Sequence, residues 1–104
     1  MDITQAATCL EKLGNPIRLE IVRLLVRAGH DGLAVGEIQR HLKVPASTLS
    51  HHILHLVTGG LISQQREGRV LRCTVDYDRM QALVDMLTEE CCAGIGANRD
   101  KKAG

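Results

Sequence analysis

The stretch Val35–Gly60, VGEIQRHLKVPASTLSHHILHLVTGG, decides the fold. Val35, Ile38 and Leu42 recur at helical spacing, so the first part reads as a short amphipathic helix. Pro45 disfavours helical geometry at Val44, and the chain is expected to turn there. Ala46 or Ser47 then opens a second helix, with Leu49, Ile53 and Leu56 on its inner stripe. Gly59-Gly60 ends that helix, because glycine accepts the left-handed cap geometry at little cost. The outer face carries Ser47, Thr48, Ser50, His51 and His55, and not one carboxylate. A helix facing only water usually mixes acids with bases. A polar face free of acids suits a polyanion and the base edges of a DNA major groove.

The flanking segments frame this helix pair. Downstream the hydrophobic period shortens to two, over Leu61–Gln65 and Val70–Val75. Arg66-Glu67-Gly68-Arg69 joins these runs as the turn of a hairpin, a wing. Upstream, Ile3–Leu13 keeps a helical stripe that Asp2 can cap, and Gly14-Asn15-Pro16 breaks it. Pro16 fits the first turn of a helix running to about Ala28, apolar over much of its circumference and expected to be central. Asp76 is the expected cap of a last helix, from Tyr77 to about Glu90, with Met80, Leu83, Val84 and Leu87 on its apolar face. The fold class is therefore mainly α: a winged helix-turn-helix with an added helix at each end. The apolar faces of those end helices point to dimerisation across a two-fold axis. Residues 1–92 form the expected DNA-binding and dimerisation domain, and 93–104 a flexible tail.

Composition narrows the function. A chain of 104 residues makes one domain with a modest core. Tyr77 is the only aromatic residue, which argues against nucleic-acid binding by base stacking. The net charge is +1, but it is unevenly spread. Residues 16–75 carry eight bases against four acids, whereas 76–92 carry five acids against Arg79 alone. A basic middle and an acidic last helix fit one DNA face and a separate face for something else. No run of apolar residues is long enough to span a membrane, and no secretory signal pattern stands at the N-terminus, so a cytoplasmic protein is expected. Four cysteines in that compartment suit metal or redox chemistry better than structural disulfides. No CxxC, phosphate loop or acid/base pair supports an enzyme.

Leu13–Leu25 (LGNPIRLEIVRLL), Ser47–Ile62 (STLSHHILHLVTGGLI) and the wing Arg66–Cys73 (REGRVLRC) together resemble the ArsR/SmtB family of metalloregulatory repressors. The resemblance implies a homodimer that binds a palindromic operator on double-stranded DNA, needs no cofactor to do so, and lets go when an effector binds. It implies that Ser47, Thr48, Ser50, His51 and His55 face the groove, and that Arg66 and Arg69 at the wing tip reach the backbone or minor groove. The spacing of His51, His52 and His55 could suit a metal, but the helical wheel puts His52 at the core edge and the other two outside.

The family's sensor positions are mostly absent. Glu37-Ile38-Gln39-Arg40 stands where a CxC pair would be, and Asp85 and Glu89 have no histidine to complete a zinc site. What remains is Cys91-Cys92, adjacent thiols that can grip one soft centre. Some family members use such a pair for arsenite. The resemblance thus implies arsenite or antimonite as effector, or a methylated arsenite. Inorganic arsenite prefers three thiolates, and no cysteine follows Cys92. Either Cys9 completes the site, Cys73 being the weaker candidate, or the effector needs only two thiols. A thiol-based redox or reactive-sulfur sensor on the same fold is the alternative.

Overall fold

The computed structural model describes residues 1–96. Helix α1 (Ile3–Leu13) starts at a capping box: the Asp2 carboxylate accepts from Gln5 N at 2.7 Å, and the Gln5 amide oxygen accepts from Asp2 N at 2.9 Å. Asn15 then caps α2 (Pro16–Ala28), accepting from Ile17 N at 2.8 Å and Arg18 N at 3.2 Å, with Pro16 in the first turn. Asn15, read from sequence only as part of a break, is therefore also the start signal of the next helix.

A two-residue strand, β1 (Leu33–Ala34), precedes the helix-turn-helix and was not apparent from sequence. It pairs antiparallel with the wing strand β3 (Val70–Val75), which pairs on its other side with β2 (Ile62–Glu67), giving the order β1-β3-β2. Gly32 makes the pairing possible. Its φ is +64°, and a Cβ there would collide with the Cys73 carbonyl. Two residues are too few to carry a periodic signal.

Helix α3 (Val35–Leu42) opens with Glu37 accepting from Ala34 N at 2.9 Å and closes at Lys43, which adopts a left-handed φ of 57°. Gln39 Nε2 donates to the Val44 carbonyl at 3.2 Å and pins the turn. Helix α4 (Ala46–Thr58) begins after Pro45. It ends in a Schellman arrangement: Leu61 N donates to Leu56 O at 3.0 Å and Gly60 N to Val57 O at 2.9 Å, with Gly60 at φ +76°. Of the two glycines, Gly60 is the left-handed one and Gly59 keeps right-handed helical geometry. The wing turn is tighter than the four residues expected. Glu67 pairs with Val70, leaving Gly68-Arg69 as a two-residue loop.

Helix α5 (Tyr77–Thr88) is capped by Asp76, which accepts from Arg79 N at 3.0 Å. It stops two residues short of the expected Glu90, because Glu89 leaves helical geometry and Glu90 turns left-handed at φ 60°. The core lies under α4. Ile21 and Leu25 of α2, Ile38 of α3, Leu49 and Leu56 of α4, and Leu61 are completely buried. Each contributes about 1.5–3 kcal/mol by leaving water. The end helices leave apolar side chains outside: Ile3 and Leu10 on α1, Val84 and Leu87 on α5. Residues 97–104 of the expected flexible tail fall outside the described residues. No helix among those described is long and apolar enough to cross a membrane.

Candidate nucleic-acid interface and thiol pair

The inner stripe of α4 fixes which residues face out. Burying Leu49, Ile53 and Leu56 leaves Ser47, Ser50 and His51 exposed and Thr48 half-buried at the margin. Leu54 joins that outer face at 62% exposure. It follows Ser47, Ser50 and His51 at helical spacing, so periodicity alone could have placed it among the groove-facing residues. An apolar side chain there can meet a thymine methyl.

The three histidines have three different surroundings. His52 is buried, 9% exposed, and its Nδ1 accepts from Arg18 Nε of α2 at 3.1 Å. Burial, then the Arg18 charge, then His51 hold its proton affinity below the ordinary imidazole value. His55 is half-buried and engaged through both ring nitrogens. Its Nδ1 lies 3.3 Å from Lys12 Nζ of α1, and its Nε2 lies 3.2 Å from His51 Nε2. Its proton affinity is also lowered, by desolvation first, then by Arg18, Lys12 and His51, against a small opposing effect of Glu11. Only His51 is fully on the outer face, its ring packed edge-on against that of His55 with centroids 4.6 Å apart.

The Lys12 side chain is only 17% exposed, with its ammonium 3.4 Å from the Glu11 carboxylate. Its methylenes cross Gly59 so closely that a Cβ at Gly59 would meet Lys12 Cγ at 2.8 Å. Neither Lys12 nor Arg18 stood out in the sequence. Both act on residues more than thirty positions away, a separation that no local pattern encodes.

On the wing, Arg66 and Arg69 are exposed. Together with Arg40 of α3 they line a groove of about 580 Å³ between the start of α3 and the hairpin. The strand pairing that carries β3 past β1 brings these three guanidiniums to one place. Arg72 turns aside: its Nε donates to Glu67 at 2.9 Å, and that carboxylate raises its proton affinity. The groove lining thus carries Arg40, Arg66 and Arg69 against the one carboxylate of Glu37, an excess of positive charge that suits a phosphate backbone.

The cysteines divide into two buried and two exposed. Cys73, on β3, is wholly enclosed; Gln64 Nε2 approaches its sulfur at 3.7 Å, and burial pushes its thiol up. Burial in this way disfavours the thiolate form. Cys9 is 1% exposed, with its thiol toward the Gly59 carbonyl at 3.7 Å. Cys91 and Cys92 are exposed just beyond α5, with sulfurs 3.5 Å apart. Two zinc–thiolate bonds of about 2.3 Å in tetrahedral geometry span about 3.8 Å, close to this separation. The pair is thus spaced for one thiophilic centre. Among the described residues no three His, Cys, Asp or Glu side chains gather in a metal-holding group, so Cys9 is not assembled with the pair in one chain.

Residues 13–65, which span the helix-turn-helix and enter the wing, match the helix-turn-helix domain family. The HTH-type transcriptional regulator MJ1325 of Methanocaldococcus jannaschii, described as uncharacterized, is 31% identical over 82% of this chain and 93% of its own. The HTH-type transcriptional regulator YgaV of Escherichia coli is 30% identical over 85% of this chain and 87% of its own. The solution structure of Mb0332 from Mycobacterium bovis superposes with a TM-score of 0.67 at 30% identity, covering 85% of this chain and 82% of that one. It is described as a homodimeric winged helix-turn-helix domain of a possible ArsR-family regulator. The chain belongs to the helix-turn-helix family of transcriptional regulators, with a winged fold related to the ArsR/SmtB superfamily.

Proposed function

We propose that the chain is a homodimeric repressor that holds a palindromic operator and releases it when trivalent arsenic or antimony binds Cys91 and Cys92. The observation that carries the effector assignment is the exposed pair itself, with sulfurs 3.5 Å apart, while the other two thiols are buried. With two protein thiolates in reach, a methylated arsenite suits the site best. Its carbon already occupies one of the three bonds of arsenic.

The DNA side of the proposal rests on α4 and the wing. Ser47, Thr48, Ser50 and His51 would read or touch the major groove, and Arg66, Arg69 and Arg40 would neutralise backbone phosphates. His55 acts from behind that surface, since both its ring nitrogens are occupied within the protein. Pairing through Ile3, Leu10, Val84 and Leu87 would cover the exposed apolar faces of α1 and α5. It would also set two copies of α4 about 34 Å apart, one helical turn of DNA. The pair lies a few residues beyond α5, so a ligand there can bias how the two subunits sit. A coupling free energy of roughly 1–3 kcal/mol would give a 5–150-fold change in operator affinity.

The test is operator binding by the wild type and by Cys91→Ser and Cys92→Ser, with and without arsenite or methylarsenite, in reductant. Loss of the response in both variants, with DNA affinity retained, supports the proposal. Release that needs an oxidant or a persulfide instead would favour the redox or reactive-sulfur sensor, which the same two exposed thiols could also serve. A wild-type response surviving in both variants refutes the site.

A further inference from the structure

Lys12, His55 and His51 form a chain of side-chain contacts that crosses from α1 to the outer face of α4. The direction of its hydrogen bonds follows from elementary chemistry. A lysine ammonium has three donors and no acceptor, so Lys12 donates to His55 Nδ1 across 3.3 Å. A neutral imidazole has one donor and one acceptor, so His55 carries its proton on Nε2. That Nε2–H faces His51 Nε2 at 3.2 Å and donates to it. His51 Nε2 is then the acceptor, and its proton must sit on Nδ1. Neutral imidazole in water prefers the opposite form, with the proton on Nε2, so this arrangement is imposed on His51.

We propose that Lys12 is a positioning residue for DNA readout: through His55 it fixes His51 in the Nδ1–H form, so that α4 presents a hydrogen-bond donor to an acceptor in the major groove. The acceptor class this selects is the purine N7 and the guanine O6 or thymine O4, and it excludes the exocyclic amines. The inference rests on the reading of α4 as the helix that enters the groove.

Four further observations support the relay. The Lys12 methylenes lie across Gly59, and its ammonium meets the Glu11 carboxylate at 3.4 Å, so the donor is held at both ends. Desolvation and the cations Arg18 and Lys12 lower the proton affinity of His55, the direction that the relay requires. Arg18 of α2 repeats the device one step inward, donating to His52 Nδ1 at 3.1 Å and fixing that ring with its proton on Nε2. The rings of His51 and His55 meet at 81°, an edge contact that lets one nitrogen point at the other.

The relay can be tested without DNA. Long-range ¹H–¹⁵N spectra of the whole chain at pH 8, above the ordinary imidazole range, report which nitrogen of each ring is protonated. The expected pattern is Nε2–H for His55 and His52 and Nδ1–H for His51. Lys12→Met keeps the stem over Gly59 but removes the donor, and should return His51 to Nε2–H. Lys12→Arg should restore the wild-type pattern. An Nε2–H signal at His51 in the wild type overturns the relay.

Its use is tested on a duplex that the wild type selects from a random pool. Lys12→Met should weaken that duplex about three- to tenfold, the worth of one hydrogen bond. It should cost nothing further in a His51→Phe background, because the two changes remove one interaction. Equal losses in both backgrounds would show that Lys12 acts on DNA without His51, and would overturn the proposal. Failure of the wild type to select any duplex would instead reject the DNA reading of α4, with the tautomer result standing apart.

Discussion

The face of α4 and the thiol pair after α5 are built in opposite ways. The α4 face is held from behind by two other helices: Lys12 of α1 reaches His55 and Arg18 of α2 reaches His52. Cys91 and Cys92 sit on a turn that closes through Cys91 N to Thr88 O at 3.2 Å and Ala93 N to Glu90 O at 3.0 Å. A surface that must match a rigid duplex gains from being fixed before contact. A soft ligand that forms two covalent-strength bonds can organise a short turn by itself. Long-range side-chain contacts thus brace the first surface, and short-range backbone hydrogen bonds shape the second.

The largest expected effect separates the two outright. Leu56→Ala empties a fully buried position beneath α4 and should cost about 2–5 kcal/mol in denaturant unfolding. Wherever the variant is partly unfolded, DNA binding should fall in proportion, while the rate of thiol labelling at Cys91 and Cys92 should barely change. Equal protection of all four cysteines would erase the contrast. Next comes the reverse experiment. Cys91→Ser with Cys92→Ser should abolish the arsenical response, worth about 1–3 kcal/mol of coupling, yet move stability by less than about 0.5 kcal/mol, as exposed substitutions do.

A smaller effect addresses the helix that leads to the thiols. Asp76→Ala removes the cap of α5 and should destabilise the chain by about 1 kcal/mol. Arsenical affinity should be unchanged if the pair depends on its turn alone; calorimetric titration would show it. On the DNA side, Arg40→Gln should lower the slope of log affinity against log salt by about 0.9, as follows when one phosphate fewer is neutralised. An unchanged slope would remove Arg40 from the interface.

Acidification should also tell the two regions apart. His52 and His55 hold protons less tightly in the folded chain than in the unfolded one, where imidazole titrates near about 6.5. The unfolded chain therefore binds more protons as pH drops through and below about 6.5, and stability falls with it. Above that range the contribution is fully present. Melting temperatures between pH 8 and pH 5 should decline, and His52→Gln should flatten that decline.

Much of this was legible in residue order. Periodicity placed all five helices and both wing strands, and Asp2, Pro16, Asp76 and the Gly59-Gly60 pair marked their ends. The exposed face of α4 followed from its buried stripe. The short strand β1 escaped because two residues have no period, and Gly32 declares its role only once Cys73 lies against it. Arg40 joins Arg66 and Arg69 only through strand pairing. His55 reads as a groove residue on a helical wheel; the wheel has no place for a lysine forty-three positions earlier that occupies its inner nitrogen.

The turn that carries the thiols has a further consequence. Glu90 and Cys92 both sit at positive φ, 60° and 63°, where side chains other than glycine and asparagine are uncomfortable by about 1–2 kcal/mol each. That strain is already present in the ligand-free turn, which holds the two sulfurs 3.5 Å apart. Glu90→Gly would relieve its share of that strain, so the turn that presents the thiols should become cheaper to hold.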